Sequence, residues 1–389
     1  MMTLVGLLIA AAPLDRGGPA DLVHDRDLAV SAVSRDHVRD DQWQLNLLQA
    51  DKVWRQSRGA GVTVAVIDSG VAGDHPDLAG QVLPGLDLVA PGGDGTADEV
   101  GHGTTVAALI AGRSSDGHGA AGLAPDSKIL PIRVLDAKNE YDDASVVADA
   151  IIWAVDHGAK VINLSLGGGA VNSLLADAID YAFAHDVVVV ACVGNVLADG
   201  PGTTWYPARE PGVVAVTALN PRGDLWKGSL SGPSTVLAAP GSDLVGAKPG
   251  GYQRVQGTSF AAPLVAATAA LIRSKWPEMS AANVVQRLIM TARDEGVPGR
   301  DDQYGFGAVD PRAALTADVP SVVANPLDTA PPPGKAGFGS SLVETVTPAV
   351  NAVAATVQES TSSRVGGLAA ALAGFAVLVG SGLTLLRKL

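Results

Sequence analysis

The chain has 389 residues, a formal net charge of −13 and one cysteine. This length is enough for a large core with appendages, and the acidic balance argues against nucleic-acid binding, which requires a basic face. The single cysteine, Cys192, excludes an intramolecular disulfide, and a cysteine in an apolar run is most often a small buried hydrophobe.

Two segments precede the patterned part of the sequence. Residues 1–12 contain the apolar run LVGLLIAAA, which resembles the hydrophobic part of a signal peptide, although no basic segment precedes it. Residues 13–41 are polar and mixed in charge without a clear period, and we expect them to form an N-terminal extension or loop arm. A folded domain is therefore expected to begin near residue 42.

From that point, apolar runs alternate with segments of helical periodicity. The β-branched runs predict buried strands, and apolar residues spaced by three and four predict helices. In chain order we predict strand 62–68, helix 102–112, strand 127–135, helix 144–159, strand 160–166, helix 173–186, strands 187–193 and 212–219, and a buried helix from Phe260 to Ile272. This alternation predicts an α/β fold with a mostly parallel central sheet and helices on both faces.

The composition changes after the domain 42–316. Residues 317–365 are rich in Pro, Ala, Ser and Thr and are expected to form a linker. Residues 366–386 are uncharged and would form an apolar helix about 31 Å long, the thickness of a bilayer core, which predicts a transmembrane helix rather than a buried core helix. Two cations follow in the tail 387–389, so the positive-inside rule predicts a cytoplasmic C-terminus and a domain outside the cell membrane.

The motif GTSFAAP, residues 257–263, stands at the start of the last predicted helix. Thr258 or Ser259 could simply cap that helix, and Pro263 would fit its first turn. Alternatively, Ser259 is a nucleophile, because the first turn of a helix presents unpaired N–H groups and a positive dipole to a negative oxygen. That chemistry requires a neighbouring base and an orienting acid.

Candidate partners stand at other ends of the predicted elements. Asp68 ends the first predicted strand, and His102 begins a predicted helix. Taken alone, Asp68 is typical of a turn residue and His102 of a solvated loop residue. Together they supply a base with a suitable pKa and a carboxylate that orients it. Asn195, after strand 187–193, is either a turn residue or an amide donor to an oxyanion. Because the carboxyl ends of parallel strands meet in one crevice, we expect these side chains to converge there.

The segments VAVIDSGV, GHGTTVA, INLSLGGG, VVVVACVGN and GTSFAAP resemble, in order, the landmarks of the subtilase family of serine proteases over residues 42–316. The order Asp, His, Ser is that of subtilisin and differs from the orders of chymotrypsin-like proteases and α/β-hydrolases, and the G-x-S-x-G elbow of lipases and esterases is absent. The resemblance implies a serine endopeptidase with a subtilisin-like fold, protein or peptide substrates and no cofactor. It implies that Asp68 orients His102, which is general base and then acid. Ser259 is then the nucleophile and Asn195 the oxyanion donor.

The resemblance also implies where a substrate would lie. Ser165, Leu166 and Gly167 resemble the strand that pairs with the substrate backbone. Cys192 and Gly194 would belong to the wall of the pocket for the residue before the cut, which makes the buried-hydrophobe interpretation of the cysteine less secure.

A short acidic stretch was the only candidate for a cation loop. Asp94, Asp98 and Glu99 lack the spacing of a calcium loop and are equally well explained as a solvated loop, so no metal site is predicted.

A closer resemblance is to the mycosins, membrane-anchored subtilases of type VII secretion systems in actinobacteria. It rests on YGFGAVDPRAAL at 304–315, the Pro-rich linker and the terminal apolar segment, although the paired cysteines common in mycosins are absent. It implies a type VII secretion membrane complex as a partner, besides the peptide substrate and the cytoplasmic membrane. The alternatives are a structural component of that complex with secondary protease activity and a secreted degradative subtilase. A third, an esterase or lipase, is disfavoured by the order of the three residues and the absent G-x-S-x-G motif.

Overall fold

The computed structural model describes residues 34–114, 117–141, 143–196 and 202–328. The strands of its central sheet are β1 (Thr63–Asp68), β2 (Leu86–Asp87), β3 (Lys128–Arg133), β4 (Val161–Leu164), β5 (Val188–Cys192), β6 (Val214–Leu219) and β7 (Leu237–Pro240). They form one sheet in the order β2-β3-β1-β4-β5-β6-β7, and every adjacent pair among these described strands is parallel. The prediction of a mostly parallel central sheet is confirmed, and the strands are apolar because both faces of the sheet are covered.

The helices cover both faces of this sheet. They are α1 (Arg35–Asp41), α2 (Trp43–Leu47), α3 (Ala50–Val53), α4 (His102–Ala111), α5 (Ala144–Asp156), α6 (Ser173–Ala184), α7 (Thr258–Lys275), α8 (Ala281–Met290) and α9 (Pro311–Thr316). Helices α4 and α7 pack on each other and on the sheet, and so do α5 and α6. After β1 the chain moves toward one edge of the sheet to form β3. It then moves back toward the opposite edge, forming β4 and β5 on the other side of β1. Right-handed crossovers therefore place α4 opposite the α5–α6 pair.

Helix α7 is the central helix of the domain. Its residues from Thr258 to Arg273 are buried, and it contacts the strands from β4 to β7 as well as α4. A helix that is apolar on all sides belongs inside a protein, as the sequence predicted. The helix begins two residues before the predicted Phe260, which places Ser259 inside its first turn.

The segment before β1 belongs to the domain. The interpretation of residues 13–41 as a loop arm is wrong for residues 35–41, which form α1. The Gln42 side chain donates to the Ala121 carbonyl at 2.9 Å and accepts from the Ala121 N–H at 3.0 Å. The short helices also bury apolar side chains such as Val38, Leu45 and Val53. With seven, five and four residues, they are too short to show an apolar period in the sequence.

The described chain continues past the predicted domain end. Residues 317–328, expected to begin a linker, remain in contact with the domain through Asn325, whose Nδ2 donates to the carbonyl of Gly212 at 2.9 Å. Within the described ranges, no helix has the length and hydropathy needed to cross a membrane. The predicted transmembrane segment 366–386 and the signal-like segment 1–12 lie outside those ranges.

Candidate active site

The first pair of candidate residues meets at the carboxyl edge of the sheet. Asp68 is the last residue of β1, and His102 is the first residue of α4. The His102 Nδ1 atom lies 2.7 Å from Asp68 Oδ1, which also accepts a 2.7 Å hydrogen bond from the Ser69 N–H. Both side chains are buried. The structure thus brings together the acid and the base that the sequence predicted.

A buried carboxylate anchors the N-terminus of α4, and with it His102. Asp98 accepts three backbone and two hydroxyl hydrogen bonds, from the N–H groups of Val100, Gly101 and Thr104 and from the hydroxyls of Ser69 and Thr104. Ser69 Oγ in turn accepts from the Gly103 N–H at 3.0 Å. The solvated-loop interpretation is therefore wrong for Asp98. It stands three residues before the N-cap Gly101, so the usual capping signal, a residue immediately before the helix, did not indicate it.

The other two acidic residues of that stretch have separate partners. The Asp94 carboxylate accepts from the backbone and the hydroxyl of Thr96, and these hydrogen bonds hold its pKa below the ordinary value. Glu99 pairs with Arg133 at 3.2 Å. In the part of the chain that the structure describes, no group of three or more His, Cys, Asp or Glu side chains has a metal-binding arrangement.

Ser259 lies in the first turn of α7, and the residue after it contacts His102. The ring of Phe260, the next residue, lies 5.2 Å from the His102 ring between centroids. The alternative in which Thr258 or Ser259 caps the helix is wrong, because Gly257 is the N-cap residue and the cap has no side-chain hydrogen bond. The expectation that Pro263 occupies the first turn is also wrong, since it lies four residues beyond Ser259.

The first turn of α7 is also tied to the end of β5. Asn195 Oδ1 accepts hydrogen bonds from the N–H of Thr258 at 3.0 Å and from its hydroxyl at 3.1 Å. The Gly194 N–H donates to the same hydroxyl at 3.2 Å. Because the carboxamide oxygen faces Thr258, the amide NH₂ is the group that Asn195 can offer to a reacting oxygen. This positioning role of Thr258 was missed by the sequence analysis, which considered it only as a cap.

The predicted substrate strand follows β4. Ser165 and Leu166 are buried, and the Ser165 hydroxyl donates to the Ser259 carbonyl at 2.6 Å. A Cβ on Gly167 would lie 2.5 Å from the Tyr206 carbonyl oxygen, so only glycine fits there. This side-chain contact of Ser165 is distinct from the backbone pairing that the sequence resemblance implies.

The predicted pocket wall follows β5. Cys192 is fully buried, with Sγ 3.7 Å from the Leu166 carbonyl oxygen and 3.9 Å from Ser259 Oγ. Gly194 has φ of 97°, and a Cβ there would overlap the Trp205 ring at 2.3 Å. Both positions therefore border the first turn of α7, and Gly194 has no space for a side chain.

The arrangement has the parts that acyl transfer requires. A carboxylate holds an imidazole, a serine stands in the first turn of a buried helix, and an amide is fixed beside that turn. Such a turn offers N–H groups and a positive dipole to an oxyanion. These groups are the ones that hydrolysis through a serine nucleophile requires.

Comparisons with known proteins agree with this geometry. The sequence profile of the subtilase family matches residues 59–307. Fervidolysin from Fervidobacterium pennivorans is 35% identical over 336 residues, an alignment that covers 77% of this chain and 48% of fervidolysin. Subtilisin DY from Bacillus licheniformis is 38% identical over 271 residues, covering 69% of this chain and 96% of subtilisin DY. The chain thus spans about half of fervidolysin and nearly all of subtilisin DY.

Two solved structures are similar over most of the chain. The MycP3 protease of the type VII (ESX-3) secretion system superposes with a TM-score of 0.67 at 31% identity, covering 77% of this chain and 93% of MycP3. The serine protease MycP1, described as an essential component of the type VII (ESX-1) secretion system, superposes with a TM-score of 0.67 at 32% identity. The match covers 79% of this chain and 97% of MycP1. With the match to the family profile, these similarities establish that this chain belongs to the subtilase family and is a serine endopeptidase.

Proposed function

We propose that this peptidase cleaves peptide bonds with Ser259 as nucleophile, His102 as general base and Asp68 as the residue that orients His102. The single observation that carries the proposal is the 2.7 Å contact between His102 Nδ1 and Asp68 Oδ1 beside the first turn of α7. A neutral imidazole that donates from Nδ1 has its lone pair on Nε2, the tautomer that can accept a serine proton.

The reaction follows from these positions. Ser259 Oγ attacks the scissile carbonyl while His102 takes the hydroxyl proton, and the buried Asp68 carboxylate stabilises the imidazolium. The oxyanion receives hydrogen bonds from the Asn195 amide and the Ser259 N–H. His102 then protonates the leaving amine, and in the second half it activates the water that hydrolyses the acyl-enzyme.

Alanine variants of the three residues test this assignment. Each of Asp68→Ala, His102→Ala and Ser259→Ala should lose most peptide hydrolysis, and double variants should lose little more, because residues that act as a unit are far from additive, as in subtilisin. Full activity in Ser259→Ala would refute the proposal, and so would losses that simply multiply in a double variant.

The second part of the proposal concerns location. We propose that residues 366–386 anchor the enzyme in the cytoplasmic membrane, with the catalytic domain outside and the tail 387–389 in the cytoplasm. The uncharged run, the two cations after it and the Pro-rich segment before it support this topology. Full-length protein should remain in the membrane fraction at high salt. A tag placed after Leu389 should be protected from protease added outside, and a soluble chain or an accessible tag would contradict the topology.

We also propose that the enzyme takes part in type VII protein secretion. The likeness to MycP1 and MycP3, both described as belonging to type VII secretion systems, supports a role in type VII protein secretion. The description of MycP1 as an essential component also supports the alternative that the chain is a structural part of a secretion complex, with proteolysis secondary. A deletion strain complemented with Ser259→Ala distinguishes them: lost secretion supports the proteolytic role, and restored secretion supports the structural one.

A further inference from the structure

The carbonyl of Ser259 has an unusual environment for a residue inside a helix. In an α-helix each carbonyl accepts from the N–H four residues later. Four residues after Ser259 stands Pro263, which has no N–H to donate. The carbonyl is buried within α7, so water is a poor substitute. The Ser165 hydroxyl, 2.6 Å away, donates a hydrogen bond to this carbonyl, which Pro263 cannot do.

The Ser165 hydroxyl is itself oriented by the sheet. Its oxygen accepts a hydrogen bond from Asn163 Nδ2 at 2.8 Å, so its proton is directed at the Ser259 carbonyl. Asn163 is fully buried on β4, in register between Val66 of β1 and Val190 of β5. The hydrogen bonds from Asn163 through Ser165 to Ser259 therefore start at a buried residue on the middle strand of the sheet.

We propose that Ser165 is a positioning residue for the nucleophile: its hydroxyl, held by Asn163, fixes the Ser259 carbonyl, which cannot receive the usual helical hydrogen bond from residue 263 because that residue is proline. The inference rests on the proposed role of Ser259 as nucleophile. The backbone before Ser259 is fixed by the Thr258–Asn195 hydrogen bond, and the Ser165 contact fixes the backbone after it. Ser259 is thus restrained on both sides, and the predicted substrate strand is linked directly to the nucleophile.

The variant Ser165→Ala tests the positioning role, because it removes the hydroxyl and keeps the backbone that would pair with substrate. Misplacing a reacting group by about 1 Å can cost about a hundredfold in rate. We expect kcat for a peptide substrate to fall by about tenfold or more, with a much smaller change in KM. The rate of labelling by a fluorophosphonate, which reacts with the serine itself, should fall in parallel. A rise in KM alone would overturn the inference in favour of a substrate-binding role.

Replacing Pro263 by alanine in the Ser165→Ala variant provides a backbone N–H at residue 263 in place of the Ser165 hydroxyl. In Ser165→Ala/Pro263→Ala, residue 263 regains an N–H that can donate to the Ser259 carbonyl. We expect the double variant to recover part of the kcat and of the labelling rate lost in Ser165→Ala, with Pro263→Ala measured alone to close the cycle. A well-folded double variant no faster than Ser165→Ala would overturn the proposal. If the double variant does not fold, the labelling rate of Ser165→Ala tests the proposal: a lowered rate supports the positioning role, and an unchanged rate contradicts it.

Thr268 offers a matched control in the same helix. Its buried hydroxyl donates to the Leu264 carbonyl at 2.8 Å, away from Ser259. Thr268→Val should lower the melting temperature and leave kcat unchanged. If Ser165→Ala behaves like Thr268→Val, its role is structural and the inference fails. Ser259→Ala, assayed in parallel, separates the two proposals. If Ser259→Ala still hydrolyses peptide, Ser259 is not the nucleophile. If Ser259→Ala is inactive and Ser165→Ala has normal activity, only the positioning role of Ser165 is refuted.

Discussion

The Nδ1 atom of His102 lies 2.7 Å from the Oδ1 atom of Asp68, although 34 residues separate them in the sequence. Two features bring them together: Asp68 ends the strand β1 near the middle of the sheet, and the network around Asp98 holds the first turn of α4. The imidazole is therefore fixed by the fold, before any substrate binds.

The variant Asp68→Asn should keep this geometry and lose catalysis. An amide in place of the carboxylate no longer stabilises a charged imidazole and favours the wrong tautomer, so kcat should fall by about 10⁴-fold. Asp77→Asn is a suitable control, because Asp77 is also a buried carboxylate and bonds Tyr252 rather than His102. The control should lose stability and retain kcat in steady-state peptide assays. Near-normal kcat in Asp68→Asn would contradict the orienting role.

Asp98 should matter for both stability and rate. In Asp98→Asn, the amide NH₂ would replace an oxygen that accepts hydrogen bonds, so buried donors lose their partner at a cost of about 1–3 kcal/mol in unfolding free energy. Because these donors belong to the first turn of α4, His102 should shift and kcat should fall as well. Chemical denaturation and peptide kinetics measure the two effects. A loss of stability with unchanged kcat would limit Asp98 to a structural role.

The sheet and its main helices could be predicted because their patterns are unambiguous. Buried parallel strands are continuous β-branched runs, and the helices between them keep a regular apolar spacing. The short helices α1–α3 and the antiparallel hairpin formed by β8 (Leu244–Lys248) and β9 (Gly251–Val255) were not predicted. They are held by contacts between distant segments, such as the Thr105 hydroxyl to the Ala247 carbonyl at 2.7 Å.

The site was predictable in its residue types but not in its supporting contacts. The order of Asp, His and Ser indicates the chemistry, and the spacing of Pro263 from Ser259 already implies that residue 263 cannot donate to the Ser259 carbonyl. The donor, however, comes from Ser165, 94 residues away, after a strand whose place is set by the sheet order. Only the tertiary structure could identify it.

Two substitutions at Asn195 separate the role of its side-chain oxygen from the role of its NH₂ group. Asn195→Asp keeps an oxygen that accepts from Thr258 but replaces the NH₂ with a negative oxygen, which should repel the oxyanion. We expect kcat to fall by about a hundredfold or more with little change in KM, the loss seen when the corresponding donor of subtilisin is removed. Asn195→Ala, which loses both contacts, should also lose stability. A large effect on KM with unchanged kcat would instead indicate ground-state substrate binding.

Tyr252 should make stability depend on alkaline pH. Burial and a 2.8 Å hydrogen bond to Asp77 raise the pKa of Tyr252 from 10.0 to about 12. A raised folded-state pKa means that the protonated phenol stabilises the fold below about pH 10, and that this contribution is lost as the pH rises toward about 12. Tyr252→Phe should therefore cost about 1–2 kcal/mol near neutral pH and progressively less above about pH 10. Denaturation in a Ser259→Ala background measures this, and a cost independent of pH would contradict it.

The last prediction concerns where the folded domain ends. Residues 317–328 contact the domain through two hydrogen-bonded asparagines: Asn283 pairs with the Val322 backbone, and the buried Asn325 donates to Gly212. A chain ending after Thr316 loses these contacts and exposes the surface they cover, whereas one ending after Asp328 keeps them. In the Ser259→Ala background, which prevents autolysis, the shorter chain should melt several degrees lower, since each buried hydrogen bond contributes about 1 kcal/mol. Equal melting temperatures for the two chains would show that the segment adds no stability and that the domain ends at residue 316, as the composition of the sequence suggests.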